Sequence, residues 1–191
     1  MSAPLQGCTP SAPIAFPVVA TGRPITQEDI DQALLKAVVA GDLPSMQQAL
    51  DHGAGEEARE DLFGATALMV AAGKGRVDMV KILLDCGANK DARDEGGWTA
   101  LMHATLNGQM ETISFLIGEG VSIDAQNDDG KTALIVAASN NFYEVVQRLC
   151  EAGANKELTA RGGKTAAQHV LLREPFAAQI IKYLECEEAA I

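Results

Sequence analysis

A period of 33 residues runs through most of the chain and constrains the fold more than any other feature of the sequence. Four segments align without gaps: GATALMVAAGKG at 64–75, GWTALMHATLNG at 97–108, GKTALIVAASNN at 130–141 and GKTAAQHVLLRE at 163–174. A separate glycine series recurs at spacings of 34, 33 and 33 residues, at Gly53, Gly87, Gly120 and Gly153. Because both sets of markers agree, the period indicates a repeat protein whose units stack on one another.

Each repeat unit predicts two short helices. The threonine in third place of each segment stands where a first helix begins, since its hydroxyl can accept hydrogen bonds from the first turn. That helix ends at a residue type that tolerates the left-handed conformation, namely Gly75, Gly108 or Asn141. A second helix follows, with apolar residues spaced as one buried stripe, for example Val77, Val80, Leu83 and Leu84. Stacking of such pairs predicts an all-α solenoid.

The pattern resembles the ankyrin repeat. A glycine, a Thr-Pro-Leu-His-like run, a glycine turn, a Val-x-x-Leu-Leu-like helix and a closing Gly-Ala-like pair recur at 64–88, 97–121 and 130–154. The resemblance covers about residues 26–185 and implies short β-hairpin fingers between the helix pairs. Alanine replaces the proline of the family pattern, and its histidine is replaced by Met69, Met102, Ile135 and Gln168. The hydrogen bonds that this histidine makes between repeats are therefore expected to be absent.

The resemblance divides the chain into five units and two ends. We expect a Pro-rich non-helical tail at 1–25, an N-terminal capping repeat at 26–60, repeats at 61–93, 94–126 and 127–159, a C-terminal capping repeat at 160–185 and an acidic end at 186–191. Thr26 and Asp29 form an imperfect capping box at the start of the first unit. Glu174-Pro175 replaces the glycine turn in the last unit. Two atypical end units are typical of a complete small solenoid.

Composition and charge exclude several classes of partner. Lys and Arg total 15 against 26 acidic residues, and the net charge of -11 repels nucleic acid and anionic lipid. No stretch approaches the roughly 18 apolar residues of a membrane-spanning helix. Prolines interrupt the N-terminal segment, which lacks the cationic start of an export signal and the arginines of an import signal. The cysteines show no paired spacing, so we expect reduced thiols and a cytoplasmic location, with the nucleus as the alternative.

The sequence does not assemble a catalytic or cofactor site. GKT occurs at 130–132 and 163–165, but Ala125 and Leu158 stand where a phosphate-binding loop needs glycine. Adjacent acids such as Asp128 and Asp129 could hold a metal, although solvated acids in a hairpin explain them as well. His103 and, two repeats later, His169 are interpreted as hydrogen-bonded structural residues. We therefore predict no enzyme activity, cofactor, metal or small-molecule substrate.

The resemblance implies binding of a protein partner in a concave groove built by the fingers and the first helices. The matching finger positions are Leu62, Phe63, Ala65, Glu95, Gly96, Trp98, Asp128, Asp129, Lys131, Arg161, Gly162 and Lys164. The matching positions late in the first helices are Gly73, Lys74, Leu106, Asn107, Ser139, Asn140, Leu172 and Arg173, with Arg93, Gln126 and Thr159 completing the strip. Acids in the fingers suggest a partner with a basic or polar rim, or merely keep the hairpins soluble.

Trp98 is the single tryptophan and the most informative of these positions. The equivalent residues of the other units are Ala65, Lys131 and Lys164, so we hypothesise that the residue type is not chosen for packing. Tryptophan is enriched among the residues that dominate protein interfaces, and we interpret Trp98 as a contact residue. The alternative is that Trp98 covers the neighbouring finger. The predicted function is an adaptor, scaffold or assembly factor; the alternative is a permanent structural subunit, as in a cytoskeletal or ciliary complex.

Overall fold

The computed structural model describes residues 25–60, 63–170 and 176–185, which form stacked helix pairs. In this part of the chain the helices are α1 Gln27–Ala40, α2 Leu43–Asp51, α3 Ala67–Gly73, α4 Val77–Asp85, α5 Ala100–Leu106, α6 Met110–Gly118, α7 Ala133–Ser139, α8 Tyr143–Glu151, α9 Ala166–His169 and α10 Ala177–Glu185. The odd-numbered first helices pack in sequence along one row, and the second helices from α4 onwards pack along another. This confirms the predicted all-α solenoid.

Threonine hydroxyls begin the first helices as the sequence predicts. Oγ1 of Thr66, Thr99 and Thr132 accepts the N–H three residues further on, at 3.4, 3.4 and 3.3 Å. At the start of α1, the hydroxyl of Thr26 accepts from the N–H of Asp29, and the carboxylate of Asp29 accepts from the N–H of Thr26 at 2.9 Å. Each contact satisfies an N–H group that the helix itself leaves unpaired.

Three of the four residues that replace the histidine of the repeat pattern are part of one continuous apolar core, and the fourth, Gln168, is exposed. Met69, Met102 and Ile135 are all fully buried. The sulfur of Met69 also accepts the N–H of Thr66, at 3.4 Å. Burial of these side chains stabilises each helix pair against the next, but it leaves the polar links between repeats to other residues.

Backbone hydrogen bonds join the tips of successive fingers. The fingers are short hairpins, closed by isolated bridges such as Arg59 with Thr66. N–H groups of Glu95, Asp128 and Arg161 donate to carbonyls of the preceding finger tip, at 3.1, 3.0 and 2.7 Å. The tips therefore form a hydrogen-bonded ladder across the units.

A second ladder is made by side chains at one position of the repeat. The guanidinium of Arg59 donates to the carbonyl of Arg93 at 2.9 Å, the guanidinium of Arg93 donates to the carbonyl of Gln126, and the amide of Gln126 donates to the carbonyl of Thr159 at 3.1 Å. Each long side chain thus reaches across one repeat to the next. We call this series the strut ladder.

Carboxylates four residues after each closing glycine form a third ladder. Glu57, Asp91 and Asp124 accept N–H groups from the loop of the following repeat, at 2.8, 2.7 and 2.9 Å. Hydrogen bonds to a charged group are stronger than those between neutral groups. Part of the large negative charge is therefore used to hold the repeats in register.

Several expectations lie outside the described residues or need correction. The tail up to residue 24, residues 61–62 and 171–175, and the acidic end at 186–191 are not described, so the predicted unit boundaries remain predictions. The expectation of reduced cysteines is wrong for Cys86, which is disulfide-bonded; its partner is not among the described residues. Among the described helices, none has both the length and the apolar character that crossing a membrane requires.

The backbone hydrogen bonds between finger tips predict that two glycine substitutions lower the free energy of unfolding by different amounts. Gly130 and Gly153 both have positive φ, +73° and +88°. A Cβ on Gly130 would stand 3.1 Å from the backbone nitrogen of Arg161, whereas nothing lies within 4 Å of one on Gly153. We expect Gly153→Ala to cost about 1 kcal/mol for the left-handed backbone and Gly130→Ala to cost at least ~1 kcal/mol more. Urea unfolding monitored by circular dichroism measures the unfolding free energy of both variants. Equal losses would contradict the structural role of the hydrogen bonds between finger tips.

Candidate protein-binding groove

The predicted groove residues fall into an exposed and a half-buried set. The exposed set is Phe63, Lys74, Arg93, Glu95, Leu106, Asn107, Asp128, Asp129 and Asn140. The half-buried set is Trp98, Gln126 and Lys131. Leu62 lies outside the described residues, as do Leu172 and Arg173. The predicted positions therefore include both accessible side chains and side chains already engaged in the fold.

Three large apolar side chains are exposed along the fingers and the first helices. Phe63 in a finger is 66% exposed, and Leu106 at the end of α5 is 42% exposed. Val39 on α1 is 49% exposed and was missed by the sequence reasoning. It stands two residues before Gly41, as Gly73 and Leu106 stand two residues before Gly75 and Gly108, so the repeat register could have found it. Exposed apolar side chains on a rigid face are typical of a protein contact surface.

Trp98 combines exposure with packing. Its half-buried indole packs against the edge of the core and lies 5.8 Å from the imidazole of His103, with the two rings tilted by 47°. The hypothesis that packing does not choose this position is therefore wrong in part. Ala65, at the equivalent position one repeat earlier, is only 4% exposed. Part of the Trp98 side chain thus packs in the fold, and the rest of it is accessible.

Asp94 fixes the finger that carries Trp98. Its Oδ1 accepts the N–H groups of Gly96 and Trp98, at 2.9 and 2.8 Å. Its Oδ2 lies 2.9 Å from Nε2 of His103 on α5. One buried carboxylate thus closes the finger turn and ties it to the first helix. The sequence reasoning predicted a hydrogen-bonded His103 but treated Asp94 only as a finger acid.

The next repeat has an amide in place of this carboxylate. Oδ1 of Asn127 accepts the N–H groups of Asp129 and Lys131, at 3.0 and 2.8 Å. Val136 stands where the preceding repeat has His103, and Nδ2 of Asn127 is buried without a hydrogen-bond partner. A buried carboxylate without a partner would cost more than a buried amide. Asparagine is therefore the less costly residue in a repeat that has valine in place of the histidine.

The strut ladder engages two of the predicted contact residues. Arg93 and Gln126 donate to carbonyls of the following finger, which restricts their side chains to a structural position. Asn107 and Asn140 donate to carbonyls near the ends of α5 and α7, at 3.0 and 2.8 Å. The sequence reasoning missed these structural roles, because a strip of exposed polar residues looks the same whether it holds the fingers or awaits a partner.

The exposed charges of the middle finger tips differ from those of the last finger. Glu95, Asp128 and Asp129 are exposed acids of the middle fingers, and Arg161 and Lys164 are exposed cations of the last finger. Within the described ranges, no group of three or more His, Cys, Asp or Glu residues is placed to hold a metal. The arrangement can recognise a surface by shape, apolar contact and charge.

Two protein-family models together match most of the described chain. A family model described as "Ankyrin repeats (3 copies)" matches residues 91–160 and 106–187. A second, described as "Ankyrin repeats (many copies)", matches residues 50–104. The matches agree with the stacked helix pairs and fingers described above.

Curated relatives match over part of their length. The chain is 41% identical over 92 residues to the 2-5A-dependent ribonuclease of Mus musculus, which is 48% of this chain and 11% of that protein. It is 38% identical over 66 residues to ankyrin repeat, SAM and basic leucine zipper domain-containing protein 1 of Mustela putorius furo, which is 35% of this chain and 14% of that protein. The chain thus spans between a tenth and a seventh of the length of these relatives.

The geometry around Asp94 predicts a graded series of variants. Asp94→Ala removes the acceptor of two backbone N–H groups and the partner of His103, and we expect a loss of about 2 to 3 kcal/mol of unfolding free energy. Asp94→Asn keeps an acceptor for both N–H groups and is expected to cost less. Asp128→Ala, in an exposed acid of the next finger, is the control and should change stability by no more than about 0.5 kcal/mol. Chemical unfolding compares the three, and equal losses in Asp94→Asn and Asp94→Ala would contradict the turn-closing role.

Proposed function

We propose that this chain, which belongs to the ankyrin-repeat family, is a non-catalytic protein-interaction module that acts as an adaptor, scaffold or assembly factor. Ankyrin repeats generally mediate protein–protein interaction. The observation that supports the proposal for this chain is a row of three apolar side chains, the exposed Phe63 and Leu106 and the half-buried Trp98, on a hydrogen-bonded framework. A partner docks along this row, in the groove between the fingers and the first helices.

The three members of the row lie on neighbouring elements. The N–H of Glu95 donates to the carbonyl of Phe63 at 3.1 Å, so the fingers of Phe63 and Trp98 are adjacent. Trp98 contacts His103 on α5, and Leu106 follows His103 by three residues, on the same side of that helix. The row therefore runs from a finger tip to the floor of the groove. Aromatic anchors fixed before binding lose little conformational freedom when a partner docks.

The rim of the groove gives the partner a charge preference. Glu95, Asp128 and Asp129 are exposed around the row. Charges at the rim of an interface steer association and select partners more than they add affinity. A partner with basic or polar residues around an apolar centre fits this rim.

The non-catalytic assignment depends on the chemistry of the described side chains. The titratable residues of the groove are used for finger closure or face solvent, and none is paired with a nucleophile. One relative is named a ribonuclease, but the matched region is 11% of that protein. The similarity therefore supports a shared repeat region and not a shared activity.

The groove is tested by affinity purification from the native cell with a Phe63→Ala, Trp98→Ala double variant. We expect loss of a partner that the unmodified protein captures, since truncation of a central aromatic contact costs about 2 kcal/mol or more, roughly 30-fold in affinity. Circular dichroism and the unfolding midpoint verify the fold, because Trp98 also supports its finger.

Phe176→Ala provides the matched control. Phe176 is 49% exposed, but it precedes α10 and stacks on Tyr143 of α8, in the row of second helices. This variant should keep the partner. A partner that survives the double variant and is lost with Phe176→Ala would move the binding surface to the second helices and overturn the proposal. A partner that resists removal by salt would favour the permanent structural subunit.

A further inference from the structure

His169 occupies the same repeat position as His103 but lacks its partner. The two histidines are separated by two repeats of 33 residues. The position that holds Asp94 beside His103 is occupied by Asn127 one repeat later and by Ala160 two repeats later. The chain therefore repeats the imidazole of this pair in its last unit without repeating the carboxylate.

The imidazole of His169 is left with an unsatisfied ring nitrogen. Nε2 of His169 is buried and has no hydrogen-bond partner, whereas Nε2 of His103 lies 2.9 Å from the carboxylate of Asp94. A buried polar atom without a partner is costly and rare in folded proteins. The last unit thus retains an imidazole nitrogen that no described residue satisfies.

Cationic side chains surround this histidine. Burial lowers the pKa of His169, and the nearby ammonium groups of Lys131 and Lys164 lower it further by repelling the protonated form. Lys164 and the neighbouring Arg161 are exposed. Within the described residues, none of these three cations forms an ion pair with a carboxylate. The charges that act on His169 are thus cationic, although the net charge of the chain is -11.

We propose that this end of the groove binds a carboxylate side chain from an acidic segment of the protein partner, which takes the place beside His169 that Asp94 takes beside His103. The exposed ammonium of Lys164 attracts the segment, and Nε2 of His169 donates the buried hydrogen bond. The inference rests on the proposed function and deepens it. A partner that fits the whole groove is basic or polar towards Glu95 and acidic towards Lys164.

The tip of the last finger has open space around it. Gly162 and Gly163 are both exposed with positive φ, and no heavy atom lies within 4 Å of a Cβ built on either. The tip is held on one side, where the N–H of Arg161 donates to the carbonyl of Asp129. Docking of the carboxylate at Nε2, which is buried, requires this finger to move aside.

The test uses a fluorescein-labelled peptide of alternating glutamate and glycine, with the glutamine counterpart as the neutral control. Fluorescence anisotropy at low salt should show binding of the glutamate peptide and not of the glutamine peptide. A Lys131→Gln, Lys164→Gln variant should weaken binding about 10-fold, as loss of two charge contacts implies. A Lys36→Gln, Lys182→Gln variant changes the net charge equally on other elements and should bind normally.

Ala160→Asp provides the sharper variant, because it restores the missing carboxylate within the chain. The new carboxylate should accept a hydrogen bond from Nε2 of His169 and weaken binding of the glutamate peptide. It should also raise the pKa of His169, which NMR of the imidazole measures. Ala33→Asp adds the same charge on the exposed face of α1 and should do neither. Unchanged peptide binding in Ala160→Asp and in the lysine double variant would overturn the proposal, as would absence of binding to the unmodified protein.

Two further outcomes separate this proposal from its alternatives. Analytical ultracentrifugation measures whether the chain self-associates. Self-association that is lost in Ala160→Asp would show that a second copy of the chain occupies the site, and it would overturn the proposal of a partner segment. The Phe63→Ala, Trp98→Ala variant should bind the glutamate peptide normally, since both side chains lie on earlier fingers. If the peptide does not bind, only the proposed carboxylate site is contradicted. If no partner is captured through Phe63 and Trp98, the proposed groove is contradicted.

Discussion

A pair of helices as short as these cannot bury its own apolar face, and every other feature of the structure follows from that constraint. The first helices of the typical repeats have seven residues each, and their buried faces are completed by the repeats on either side. The polar links between repeats are then made where the chain leaves the helices. Three ladders supply them, through finger tips, long side chains and loop carboxylates. Stability is thus a property of neighbours and not of single units.

The groove uses the same hydrogen bonds that hold the repeats. Asp94 closes the finger turn beneath Trp98 and joins it to His103 on the first helix. The indole is consequently presented at a fixed height and angle before any partner arrives. An interface built on fixed side chains loses less entropy on binding than one built on mobile loops. The finger is therefore a structural element and, in the proposed function, also a binding element.

Much of the fold could be predicted from the sequence, because the period and the capping threonines are local signals repeated several times. The site was harder, since its roles depend on what faces each side chain. The sequence pattern indicates that Arg93 and Gln126 are exposed polar residues. In the structure, their side chains hydrogen-bond to the following finger. Ala65 and Trp98 share a repeat position but differ in burial. Repetition reports which positions are equivalent, and only packing reports what each one contacts.

The strut ladder also divides the groove into positions with different freedom to evolve. Arg59, Arg93 and Gln126 each hold the following finger, so a substitution there disturbs two repeats at once. Phe63 and Leu106 are exposed, and no described hydrogen bond between repeats uses their side chains. Descendants of this chain can therefore acquire new partners by varying the second group while the first is retained. The structural ladder is what makes the recognition surface exchangeable.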